Sequence, residues 1–149
     1  MKLEDAIKQK EFRSDAHKGI VNLLYTSSYV LNLINEVTQE YNITRQQYNV
    51  LRILRGQHPG SASINLIKER MIDKMSDSSR LVDRLFQKKL IRKSSCENDK
   101  RAVDVTITDK GLELLDKIEP SIASVESIFA SLSASEIKLL NEILDKIRS

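Results

Sequence analysis

Thirteen charged side chains crowd residues 74–101. Nine are basic (Lys74, Arg80, Arg84, Lys88, Lys89, Arg92, Lys93, Lys100 and Arg101) and four are acidic (Asp77, Asp83, Glu97 and Asp99), a net +5. Residues 108–149 carry five bases and eight acids, a net −3. A positive field confined to one stretch is what phosphate binding requires. A solvated basic face would show the same charge, so the pattern has to decide. Met75, Leu81, Val82, Leu85 and Phe86 fall at helical spacing against Ser76, Asp77, Arg80, Asp83 and Arg84. Two β-prone segments follow, 90–94 and 102–107, separated by the polar run 95–101. A basic helix handing over to a hairpin with a charged tip is the outline of a winged helix-turn-helix. That outline suggests a docking surface for duplex DNA.

Several elements must position this stretch. Residues 14–41 read as one long helix capped by Ser14 or Asp15, with Asn42 at its end. Thr44 starts a second helix with Gln47 completing a capping box; its apolar face is Tyr48, Val50, Leu51 and Leu54, and Gly56 is placed as its left-handed terminus. Pro59-Gly60 marks a turn, and Ser63 caps a third helix through Arg70 that buries Leu66 and Ile67. Asp73 is expected to cap the fourth, basic helix, residues 74–88. Thr108 caps a fifth helix, in which Pro120 should introduce a kink or a break. Ser133 or Ser135 caps the last helix, with Ile137, Leu139, Leu140, Ile143, Leu144 and Ile147 apolar. The fold class expected is mainly α with a small β-hairpin. Residues 1–149 form a single domain, in which 44–110 make the winged core and 1–43 and 111–149 make helical ends.

The 149 residues are 40% hydrophobic and 30% charged, as in an ordinary soluble domain. No apolar run approaches the roughly 20 residues that span a bilayer, and the N-terminus lacks a signal-peptide core, so no membrane partner is expected. The single cysteine, Cys96, excludes an internal disulfide and suits a reducing cytoplasm. His17 and His58 have no metal-ligand spacing, no nucleophile–base pairing or glycine-rich phosphate loop occurs, and neither cofactor nor enzymatic activity is expected.

The segments SRLVDRLFQKKLIRK and ENDKRAVDVTITDKG resemble the signature of the MarR family of bacterial transcriptional regulators. The most specific part is Asp99-x-Arg101, followed by alternating Val103, Val105 and Ile107 and the helix start Thr108-x-x-Gly111. Lys89 departs from the pattern, because the family usually has glycine before the first hairpin strand. The resemblance implies roles for individual residues. Ser76, Asp77, Ser79, Arg80 and Arg84 lie at the beginning and on the outward face of the recognition helix, with Val82 and Leu85 turned inward. Arg80 is the expected base reader, since arginine bonds guanine O6 and N7 together. Arg84, Lys88 and Lys89 are expected at the phosphate backbone, and Lys100 and Arg101 in the wing. Asp83 and Asp99 are expected to brace the wing, Asp83 by an ion pair with Arg101, a role that competes with DNA contact by that arginine. Some members sense oxidants through a thiol, but the wing-tip position of Cys96 argues against that role.

The apolar stripes of the terminal helices exceed what a small winged core can cover, so two chains are expected to bury them in a homodimer, a monomer with its ends folded back being the alternative. The expected function is a sequence-specific repressor that binds a pseudo-palindrome in double-stranded DNA. The resemblance also implies a small aromatic or phenolic effector in a crevice lined by Tyr25, Tyr29 and Tyr48, residues that plain core packing would equally explain. A winged-helix protein-interaction module without DNA binding is the alternative from a different class; Ser76, Arg80 and Arg101 within the +5 segment count against it.

Overall fold

Side-chain caps start each long helix, and each contributes about 1 kcal/mol. A computed structural model of the chain describes residues 1–95 and 102–149. After the short α1 (Leu3–Ala6), α2 (Asp15–Glu40) begins where the Ser14 hydroxyl accepts the His17 amide. Helix α3 (Arg45–Gln57) opens on the capping box of Thr44 and Gln47, and α4 (Ile64–Arg70) on Ser63. Asp77 caps α5 (Ser78–Gln87) and Thr108 caps α6 (Asp109–Val125). A 3-10 turn (Glu126–Phe129) then leads to α7 (Ala134–Arg148), which opens on a second capping box, Ser133 with Glu136.

Helices α2 and α5 end alike. Asn42 (φ 57°) and Lys89 (φ 62°) both take the left-handed conformation. The Asn42 and Ile43 amides donate back to the Gln39 and Thr38 carbonyls, and the Lys89 and Leu90 amides to Phe86 and Leu85. This is the Schellman closure. Lys89 therefore holds a conformation glycine adopts freely, at a cost of about 1 kcal/mol to a side-chain-bearing residue.

Strands β1 (Ala62–Ser63), β2 (Ile91–Ser95) and β3 (Val103–Ile107) form an antiparallel sheet in the order β1-β3-β2. Ile91 faces Ile107, Lys93 faces Val105 and Ser95 faces Val103. The core between sheet and helices is made of Val50, Leu51, Leu54, Ile67, Val82, Leu85, Ile91, Val105, Leu115 and Ile118, all essentially inaccessible. Gly111 lets α6 settle on the base of the hairpin: a Cβ there would lie 2.4 Å from the Leu90 carbonyl oxygen and 2.6 Å from the Ile107 side chain. The Tyr41 hydroxyl donates to the Lys117 carbonyl at 3.1 Å, and Arg55 pairs with Glu119, fastening α6 to α2 and α3.

Four local expectations change. The fourth helix starts at Ser78, not after Asp73. Asp73 instead closes the preceding turn, its carboxylate accepting the Met75 amide and its carbonyl the Ser76 amide. Met75 and Phe86, expected on the apolar face, are exposed, Met75 at 93%. Gly56 stays inside α3 with negative φ; the helix stops at Gln57 because His58 precedes a proline and is driven to extended backbone. Finally, α6 runs through Pro120 without a break. Pro120 has no N–H to offer the Asp116 carbonyl, but both residues are exposed, so that carbonyl is open to solvent while Leu115 and Ile118 hold the buried face.

Candidate nucleic-acid interface

The geometry of α5 follows from its period. Ser78, Val82 and Leu85 turn into the core, which places Ser79, Arg80, Asp83, Arg84 and Gln87 on the exposed side. Arg80 and Arg84, one turn apart, form no ion pair with any other described residue. Beside them, the beginnings of α3 and α5 enclose a cavity of about 310 Å3, whose lining includes Gln46, Met75, Ser76, Arg80 and Arg84. The hydroxyls of Ser76 and Ser78 are buried and find no hydrogen-bond partner among the described residues. The exposed side of α5 thus combines two guanidiniums with no acid partner among the described residues, the exposed Ser79 and a concavity. Such a surface can donate hydrogen bonds to anionic oxygens and to base edges.

Other residues of the expected set are engaged within the protein. The Asp77 carboxylate accepts the Arg80 amide at 3.1 Å as the helix cap. The Lys88 ammonium donates to the Asn42 carbonyl and lies 3.4 Å from the Gln47 amide oxygen, so it ties the end of α5 to the junction of α2 and α3. Lys89 sits at the left-handed turn, where its carbonyl accepts the Thr108 hydroxyl at 2.9 Å. Asp83 pairs with Lys93 of β2 at 2.8 Å. Sequence reading assigned Lys93 no such part, because the contact joins residues ten apart on different elements. Cys96, Asp99, Lys100 and Arg101 lie outside the described residues, and with them the expected Asp83–Arg101 pair.

The three tyrosines do not converge in this chain. Tyr48 belongs to the core, where Arg52 lies 6.0 Å from its ring and burial pushes its hydroxyl pKa above the ordinary value. Tyr25 and Tyr29 are exposed on α2. A different concavity lies between α2, the 3-10 turn and α7, about 530 Å3 and lined mainly by apolar side chains, Leu23, Val30, Leu31, Phe129, Leu140 and Leu144 among them. The apolar stripes of the two helices were its signal, though nothing local shows that they meet. Among the described residues, no group of three or more His, Cys, Asp or Glu is placed to hold a metal ion, and no helix is long and apolar enough to cross a membrane.

Helix-turn-helix, three-stranded sheet and long flanking helices together define a winged-helix architecture of the kind transcriptional regulators use. The family of transcriptional regulators SarA/Rot matches residues 32–118, from the second half of α2 into α6. The chain is 33% identical over 113 residues to the HTH-type transcriptional regulator MgrA of Staphylococcus aureus, spanning 76% of this chain and 75% of that protein. The chain belongs to the SarA/Rot family, within the MarR type of winged-helix regulators. Solved structures agree on the fold. A MarR-like transcription regulator from Bacillus cereus superposes with a TM-score of 0.80 at 18% identity, covering 90% of this chain and 96% of that one. BpsR of Bordetella bronchiseptica, whose DNA binding is regulated by 6-hydroxynicotinic acid, superposes with a TM-score of 0.73 at 24% identity, covering 88% and 99%.

Proposed function

We propose that the protein is a homodimeric repressor that binds a pseudo-palindromic site in duplex DNA through α5 and the wing. The observation that carries this reading is the exposed face of α5: Ser79, Arg80 and Arg84 stand opposite a wholly buried face, with no described acid paired to either arginine. Arg80 reads base edges and Arg84 holds phosphate. Residues 44–110 form the DNA-binding core, and 1–43 with 111–149 the dimerisation region. In support of pairing, α7 buries none of its residues and leaves Leu139, Ile143 and Ile147 open, while α2 exposes Ile20 and Leu24. Two cores related by a twofold axis present two α5 helices to successive major grooves. A small aromatic effector changes the spacing of those helices and so releases the DNA in the cytoplasm. This part draws on the likeness to BpsR.

Fluorescence anisotropy with a labelled duplex from the region upstream of the protein's own gene tests the proposal at two salt concentrations. Saturable binding is expected that weakens steeply with salt and exceeds binding to a shuffled duplex by about 1000-fold or more. Equal affinity for both duplexes would contradict sequence-specific regulation.

A further inference from the structure

Lys93 belongs to the cluster of bases that defines the basic stretch, yet the structure turns it toward α5. Its position in β2 decides this. Lys93 pairs with Val105 as Ile91 pairs with Ile107, so the three side chains Ile91, Lys93 and Val105 share the face of the sheet that looks toward the helices. Ile91 and Val105 are buried there. Lys93 continues their row past the edge of the core and meets α5. Its ammonium lies 2.8 Å from a carboxylate oxygen of Asp83 and 4.6 Å from the centre of the Phe86 ring. Asp83 and Phe86 are three residues apart, neighbours on one face of α5. The Lys93 side chain is 30% exposed and that of Asp83 62%, so the cation is the more covered partner of the pair. Phe86 is left half open by the rest of the molecule, and the lysine supplies the polar cover that an exposed ring lacks.

We propose that Lys93, held between Asp83 and Phe86, is a positioning residue that locks the wing's first strand to the recognition helix. It does not itself contact DNA. The inference rests on the DNA-binding function proposed above, and it goes beyond it in assigning Asp83 to a described partner and in giving Lys93, one of the nine bases of the +5 segment, a positioning role. Asp83 distinguishes this from a plain surface charge. An unpaired carboxylate beside DNA repels phosphate, so neutralising it should tighten binding. A carboxylate that holds the wing in place does the opposite.

The test uses the full chain and the variants Asp83→Asn, Lys93→Gln, the double variant and Lys93→Arg. Amide hydrogen exchange of β2, read without DNA, is expected to quicken about three- to tenfold in the first two, the range for an exposed ion pair with a cation–π contact. DNA affinity is expected to fall by a similar factor in Asp83→Asn, Lys93→Gln and the double variant alike. The slope of affinity against salt should stay unchanged, and Lys93→Arg should restore both readouts. Unchanged β2 exchange, tighter binding by Asp83→Asn, or a salt slope lowered by about one in Lys93→Gln, the mark of a lost phosphate contact, overturns the inference. If the unmodified protein binds no DNA, the proposed function falls, while hydrogen exchange alone still decides whether the brace exists.

Discussion

The winged core and the helical ends obey different packing economies. Around α3, α5 and β3 the side chains close on one another: Val50, Leu51, Val82, Leu85 and Val105 are fully inaccessible. Along the first half of α2 and all of α7, amphipathic helices of ordinary quality bury almost nothing. Thr38 is the only buried residue of α2, and α7 has none. The two regions share a capping chemistry, since Thr44 and Ser133 both open capping boxes. What separates them is tertiary contact. Local signals suffice to make a helix, while burying its apolar side takes a neighbour, and for the ends the proposed neighbour is a second copy.

Substitutions sharpen this contrast. Leu51→Ala in the closed core should cost about 2–5 kcal/mol of unfolding free energy in urea, through lost transfer energy and the cavity left behind. Leu139→Ala should change the stability of the isolated chain by no more than about 0.5 kcal/mol. It should instead weaken self-association, so that melting temperature depends more strongly on protein concentration. Equal losses in both would erase the distinction.

Arg80→Ala comes next. It should lower affinity for the specific duplex by about 1–3 kcal/mol, leave nonspecific binding nearly intact and leave stability unchanged. Lys89→Gly acts in the other direction. Relieving the left-handed side chain should raise stability by about 1 kcal/mol in the same urea titration.

The smallest effect is expected in α7 and depends on pH. The Ser133 amide and hydroxyl donate to the Glu136 carboxylate and hold its pKa below the ordinary carboxylate value. A depressed folded pKa stabilises the folded form above the unfolded pKa, and that contribution disappears as pH falls through the folded value. Amide protection at the start of α7 should therefore decline on acidification, and Glu136→Gln should remove the dependence.

Much of this fold was legible because its signals are local. Ser14, Thr44, Ser63, Thr108 and Ser133 each bond an amide three residues on, and the inward Val82 and Leu85 follow from a period of 3.6. Other features were not legible because distant residues decide them. Asp73 and Asp77 look alike as caps, but the Asn49 side chain accepts the Ile72 amide and fixes the turn before α5, leaving Asp77 as the start. Strand β1 is two residues long and exists through pairing of Ala62 with Val105. Lys88 was expected at the phosphate backbone and Lys93 had no assigned role; their partners, Asn42 and Asp83, come from other elements. The wing-tip expectations for Asp99, Lys100 and Arg101 lie outside the described residues.

The mass of the complex formed with the upstream duplex, measured by light scattering, tests most directly whether open ends and closed cores serve one function. Two 17.0 kDa chains on each duplex are predicted. One chain per duplex, or no complex at low salt, would contradict it.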